Sequence, residues 1–462
     1  MVRLRVVRLT AVVAVCVAAP IGAVSGEAVA ITGARVITMR AAEILPDHTV
    51  VVVDGAIASV GPDTAARVPG AAVKIDAGGR FLIPGLAEMH AHVPDPLSDS
   101  VYLDRVLQLY VANGVTLIRG MLGRPEHLEL RQQLADSARV GPRLVTSGPS
   151  LNGRSVTSPE EGARMVLEQN AAGYDFLKLH PGLSRAAFEA IAAEARALGM
   201  PFAGHVSVDV GLARTLEAGQ ASIDHLDGYM QALAPAEALP APADWGFFGF
   251  SIAPLAEDTR VAAWAARTAS AGVWNVPTQA LLVNWAGPET AQQLLQRPEM
   301  RFLAPQLRAE YARRKNEIAG SANYSRDRAM RFLRVRAELI FALHKAGAGL
   351  LLGSDAPQVF NVPGFSVHQE LELLVGAGLS PYEALLTGTA NPARFLGETG
   401  QSGVIAPGAG ADFVLLRDNP LEDIGNIRSI DGVMLRGRWF DRAALDAMLA
   451  ALEYPAEDSL SQ

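Results

Sequence analysis

Cysteine is almost absent: the 462 residues contain one, Cys16. It lies in an N-terminal stretch that reads as a leader, and a chain relieved of that leader has neither a disulfide nor a thiolate. Any metal must then be held by histidine, carboxylate or a less ordinary group. Long basic runs are missing too. The arginines are scattered, as in "YARRKNE", and the formal net charge is −8. Phosphate backbones need a concentrated basic face, so this pattern speaks against a nucleic-acid partner. The apolar run near the N-terminus is too short to read first as a membrane span. "MVRLRVVRLT" supplies three arginines, and "AVVAVCVAAPIGAV" supplies a short apolar run with small residues near its end. That is the pattern of a signal peptide over residues 1–26, with an uncleaved anchor as the alternative. The bulky Val15 before Cys16 disfavours lipidation. Cleavage would take the charge from −8 to −11 and place the mature protein in the periplasm or outside the cell, without stable membrane insertion.

What is present is globular. Half the residues are hydrophobic and 19% are charged, enough for a large buried core. From 27 to 83 short β-runs alternate with turns, including "TVVVVDGAIASVG", whose Asp54-Gly55 marks a tight hairpin. The same texture returns in "GVIAPGAGADFVLLRD" and "IDGVMLRGRWF". Neither piece has enough strands for its own core, so 27–83 and 397–445 are paired as one small β-sandwich. Between them, over 84–396, strand and helix alternate. Strands end at His90 and lie near 115–122, 143–148, 174–180, 201–206, 221–226, 273–280 and 349–355, with amphipathic helices such as "SRAAFEAIAAEARALG" between. Eight such units argue for an α/β chain built on a parallel (β/α)8 TIM barrel. An insertion at about 230–340 lengthens the later units, either as a lid over the mouth or as a surface elaboration.

The chemistry sits at the strand ends. "GLAEMHAHVPDP" puts His90 and His92 after strand 1, "DFLKLH" puts Lys178 at strand 4, "PFAGHV" puts His205 at strand 5, "SIDHLDG" puts His225 at strand 6 and "GSDAP" puts Asp355 at strand 8. In a (β/α)8 barrel these ends meet at one mouth, where active sites form. A lone histidine at a strand end is usually a satisfied rim residue, but four of the nine histidines occupy such ends. His48, His127 and His344 lack that context and read as surface or packing residues. His180 and His368 are intermediate, the first with a structural role favoured, the second a packing or supporting residue. Lys178 is odd beside a cation. Burial favours its neutral amine, which can add carbon dioxide to give a bridging carbamate; the plain alternative is a lysine that pairs with an acid or orients substrate.

These motifs, with the tail "TGTANPARFLG…GVIAPGAGADFVLLRDNPLEDI", resemble the amidohydrolase superfamily, in particular its prolidase-like and imidazolonepropionase-like members, over nearly the whole mature chain. The resemblance implies two divalent ions, zinc first on ligand type. One would take His90, His92 and Asp355, the other His205 and His225, with carboxylated Lys178 and a hydroxide bridging. It also suggests Tyr229 as a substrate contact, with loop capping as the alternative. Arg119, at the end of strand 2, could pair with an anionic substrate group or with a structural carboxylate. The text departs from many relatives at Glu88, where they have Asp, and at Gly120, where they have an acid.

The activity expected is hydrolysis of an amide C–N bond in a small-molecule substrate, a dipeptide, N-acyl amino acid or cyclic amide, with Asp355 moving the proton. The rivals are a lactonase or esterase on the same site, and an exported metal-binding barrel without catalysis. Association into a homo-oligomer is not readable from the sequence.

Overall fold

The computed structural model describes residues 28–455; the expected signal peptide lies outside them. Fifteen strands are present among the described residues: β1 (Ala28–Val36), β2 (Leu45–Val53), β3 (Ala56–Pro62), β4 (Val73–Asp76), β5 (Phe81–Pro84), β6 (Leu86–Ala91), β7 (Val115–Gly120), β8 (Arg143–Thr146), β9 (Leu177–Leu179), β10 (Phe202–Gly204), β11 (Ser222–Asp224), β12 (Trp274–Val276), β13 (Phe413–Leu416), β14 (Ile430–Leu435) and β15 (Arg438–Asp441). The chain is α/β. No helix among the described residues is long and apolar enough to cross a membrane.

Both chain ends build one sheet, in the order β15-β14-β13-β5-β1-β2-β3, with β4 beside β1. The hairpin forms where Asp54-Gly55 marks it, with φ of 50° and 76° at the two turn residues. Positive φ at both positions gives the twist that joins β2 to β3 in two residues. The expected two-sheet sandwich is not what the hydrogen bonds draw. β5 pairs parallel with β1 on one side and antiparallel with β13 on the other, so the two ends are continuous. Val29, Ile31, Val50, Val52, Phe413, Leu415 and Met434 fill a core common to both ends.

The middle of the chain is parallel. β6, β7 and β8 form one ladder, and β9 to β12 form another. Ser147 pairs with Phe176 to connect the two ladders. Residues 349–356 take the eighth place without a regular strand. They pair with β12 through Asn275–Leu350 and with β6 through Ala91–Ala356, so the succession returns to its start. The helices between follow local rules. Arg185–Leu198 starts at Ser184, which accepts from the Ala187 N–H, and stops at Gly199, φ 67°. Its buried Ala187, Phe188, Ile191, Ala192 and Ala195 form one stripe. The insertion is two excursions on either side of β12, the first holding the 3-10 segment Phe247–Leu255 and the second the helices Gln279–Ala286 and Pro305–Ala319.

Candidate metal centre and substrate cavity

Strand alternation places the first residues. Glu88 and His90 are two apart in β6 and His92 follows in its extension, so all three turn to one face. Glu88 is fully buried and accepts from the backbone N–H of His90 at 2.8 Å and of Ser354 at 2.9 Å. It thereby ties the end of β6 to the residue before Asp355. His92 Nε2 lies 2.8 Å from Asp355 Oδ1, and His90 Nε2 lies 3.6 Å from the same oxygen. His90, His225 and Asp355 offer ligand atoms all within 4.8 Å of one another. The His205 ring centre is 4.8 Å from that of His225, with its Nδ1 held by Asp227 at 3.2 Å. Lys178, wholly buried, sits with Nζ 3.1 Å from Asp224 Oδ2, an oxygen that is also 3.3 Å from His90 Nδ1. All six residues predicted as ligands therefore gather at one place, contributed by β6, β9, the ends of β10 and β11, and residues 349–356.

The backbone turns sharply there. His225 (φ 61°), Leu226 (φ 52°), Thr278 (φ 48°) and Asp355 (φ 64°) all adopt left-handed conformations without being glycine. Each costs on the order of 1 kcal/mol and persists only where the surroundings enforce it. The enforcing contacts are visible. Thr278 Oγ1 lies 2.8 Å from His225 Nδ1, fixing that ring. Buried Arg336 donates to the carbonyl oxygens of His225 and Pro277, both at 2.6 Å. Glu370 accepts from the N–H groups of Gln279 and Ala280, capping the helix that Thr278 introduces.

Electrostatics favour ligation. Burial, reinforced by the Lys178 charge, lowers His90 to about 4, and burial with neighbouring imidazoles holds His225 well below the usual range. These rings stay neutral, as metal ligands must. Burial lowers Lys178 against the pull of Asp224. Burial alone would raise Asp355 and Asp224, but the imidazole and cationic neighbours outweigh it and hold both carboxyls low. His90 Nδ1 is buried without an aligned hydrogen-bond partner, although Asp224 Oδ2 approaches to 3.3 Å, whereas Asp355 Oδ1 faces His92 Nε2 at 2.8 Å. Neutral imidazoles and an ionised carboxylate whose ligand atoms converge fit a divalent cation of borderline softness.

The two expected substrate contacts are elsewhere. Arg119 is buried under the cluster, where its Nη2 pairs with Asp224 at 3.3 Å and its Nε donates to Met89 O at 2.7 Å. The guanidinium lies against Phe176 and Phe395, so its partner is the structural carboxylate. Tyr229 is also buried, its hydroxyl satisfied by Thr268 at 2.9 Å and Asn275 at 3.0 Å, and so is not offered to a ligand. His180 moves the other way. It stacks on His205 at 5.0 Å with Nδ1 unpartnered, and lines a cavity of about 600 Å³ with Asn152 and Arg154. Its signal was there: it stands two residues after Lys178, as His92 stands after His90. Asp224, Asp227, Glu88 and Thr278 were missed as contributors, although Asp224 and Asp227 flank His225 in "SIDHLDG". His368 and His127 are packing residues, bonded to Asn113 O and Pro94 O.

A larger cavity, about 810 Å³, opens onto Asp355 from the inserted segments. Phe248, from the first insertion, lies over the imidazoles, 4.7 Å from the His225 ring and 5.8 Å from that of His205. This part of the first insertion therefore packs against the imidazole cluster.

The model of the amidohydrolase family matches residues 81–440. The chain belongs to that family. Among curated proteins, this family member is 28% identical over 208 residues to adenine deaminase 3 of Rhizobium meliloti (strain 1021), a match covering 41% of this chain and 34% of the deaminase. The chain thus spans about a third of the length of that relative. Among solved structures it superposes on the bottromycin amidohydrolase with a TM-score of 0.72, at 23% identity and covering 93% of this chain and 90% of that one. A prolidase complexed with N-methylphosphonate-L-proline gives 0.66 at 21% identity, covering 90% and 100%. These two likenesses speak for the fold.

Proposed function

We propose that this amidohydrolase is a metal-dependent hydrolase of amide C–N bonds in a dipeptide, N-acyl amino acid or cyclic amide. The observation that carries the reading is the gathering of His90, His92, Lys178, His205, His225 and Asp355 at one end of a ring of parallel segments, with ligand atoms of His90, His225 and Asp355 within 4.8 Å of one another. We read that ring as a (β/α)8 barrel, whose C-terminal strand ends carry active sites. His90, His92 and Asp355 would hold one divalent ion, and His205 and His225 another, zinc being the first choice. Such ions acidify water from a pKa of about 15.7 to about 7 and polarise a carbonyl.

The chain's own part centres on Asp355. Its carboxylate accepts the proton of the attacking water as the C–O bond forms, and returns it to the nitrogen as the C–N bond breaks. His92 at 2.8 Å and the Glu88–Ser354 bonds hold it in place. A carbamate on Lys178 belongs to this proposal. Burial favours the neutral amine that carbon dioxide needs, and Asp224 opposes it. Lys178→Ala is expected to lower metal content, with partial recovery in a short carboxylic acid; two retained ions at normal rate would remove the bridge.

The decisive experiment pairs metal analysis with a screen of dipeptides, N-acyl amino acids, lactams and matched esters, run on the parent chain and Asp355→Asn. Turnover of amides above esters, lost in Asp355→Asn with its ions retained, supports the reading. Faster ester cleavage makes it a lactonase or esterase, and a metal-loaded but inert protein makes it a binding barrel. Export to the periplasm or beyond is proposed from the sequence, and the N-terminal residue of the mature protein tests it.

A further inference from the structure

We infer that the cavity beside Asp355 is an aryl subsite, so that the substrate is an amide carrying a bulky aromatic group rather than a small dipeptide. This rests on the hydrolase reading above and names its substrate class. At about 810 Å³ the cavity stands high in the range of roughly 300–1,000 Å³ usual for small-molecule sites. Two small residues joined by one peptide bond would leave most of it to water.

One wall is aromatic. Phe247 and Trp285 stand with ring centres 4.4 Å apart and planes at 41°, and Phe250 meets Trp285 edge-on at 6.1 Å, with Leu281 beside them. Phe250 is 5% exposed and packs below, but Phe247 is 43% exposed, a large ring turned to the opening instead of into the core. The wall is continuous with the centre. Phe247 touches Phe248 at 4.0 Å, Phe248 lies 4.7 Å from His225, and Asp355 lines the same cavity.

The wall is also pre-built. Gly246 (φ 72°), Phe248 (φ 51°) and Gly249 (φ 77°) turn the chain so that Phe247 faces the opening while Phe248 lies against the imidazoles, and a Cβ on Gly249 would stand 2.6 Å from the Met230 Cβ. On the facing side, buried Lys315 donates to the carbonyl oxygens of Asn284, Trp285 and Gly287 at 3.0, 3.2 and 2.7 Å, fixing the tryptophan's backbone. The charges at the rim are matched. Arg313 pairs with Glu317 at 2.6 Å and Arg314 pairs with Glu310, so selectivity falls to the apolar surface.

The test uses the metal-loaded full chain and a series with one leaving amine: N-acetyl-, N-benzoyl- and N-(2-naphthoyl)glycine. In parallel, binding of 2-naphthoate is measured by equilibrium dialysis. The expected result is a kcat/KM at least about 10-fold higher for naphthoyl than for acetyl. Trp285→Ala, and independently the more exposed Phe247→Ala, are expected to cut that ratio several-fold and to weaken naphthoate binding. A flat or reversed series, with naphthoate binding unchanged in both variants, overturns the subsite. Wall-dependent binding of naphthoate without cleavage of any conjugate sustains the subsite and counts against the hydrolase reading alone.

Discussion

Asp224 answers two buried cations and an imidazole at once. One oxygen faces Lys178 Nζ at 3.1 Å and His90 Nδ1 at 3.3 Å, and the other meets Arg119 Nη2 at 3.3 Å. Removing a partner from a buried pair leaves an uncompensated charge, which costs about 3–5 kcal/mol. Asp224→Asn is therefore expected to lose stability of that order at pH 7, read from urea midpoints; a loss under about 1 kcal/mol would show that the cations find other partners. The sign with pH follows. Asp224 is held well below its ordinary 3.8, so its contribution is present above that value and fades as the pH falls below it. At this scale the proposed ligands were legible because each ends an apolar run. Asp224 and Arg119 were not, because a charged residue inside a run of β-formers gives no local sign that its counter-ion lies on a strand 105 positions away.

The helix Gln279–Ala286 is held by side chains of other helices at both ends. Glu370 receives its first N–H groups and Lys315 its last carbonyls. Burial raises Glu370 to about 7 from the 4.5 of an ordinary glutamate. Between those values the folded protein binds a proton that the unfolded chain has released, so stability falls as pH rises through that window. One proton sets a slope of at most about 1.4 kcal/mol per pH unit. Glu370→Gln is expected to flatten the dependence of urea stability between pH 5 and 7, and an unchanged slope would place the titration elsewhere. A second expectation belongs to the Phe248 turn. Gly249→Ala puts a methyl against Met230 at positive φ, so it should cost about 1–3 kcal/mol and depress turnover, read by thermal unfolding and steady-state rates. The turn itself was hidden from sequence reading. "WGFFGF" reads as an apolar run, and only the tertiary contact with the imidazoles gives it a purpose.

For the molecule as a whole, the proposed ions would bind the folded chain alone. At a free concentration 100 times the dissociation constant, that adds about 2.7 kcal/mol. Chelation should then lower the unfolding temperature by several degrees, and re-addition should restore it; identical scans with and without chelator would speak against resident ions. Most of the architecture was readable. Short apolar runs a few residues after a glycine, alternating with helical text, announced β6 to β12, and the Asp54-Gly55 turn announced β2 and β3. The sheet partner of β5 was not, because Phe413–Leu416 carries the same apolar text whichever strand it joins.

That partnership has a consequence for how the protein is made. While β13 is still within the ribosome, one flank of β5 displays bare amide and carbonyl groups, as an unpaired edge does. Roughly nine-tenths of the polypeptide must emerge before the gap can close. The nascent protein is therefore exposed to mispairing through most of its synthesis, and a stop placed just before Phe413 should yield aggregate where the complete chain is recovered in solution.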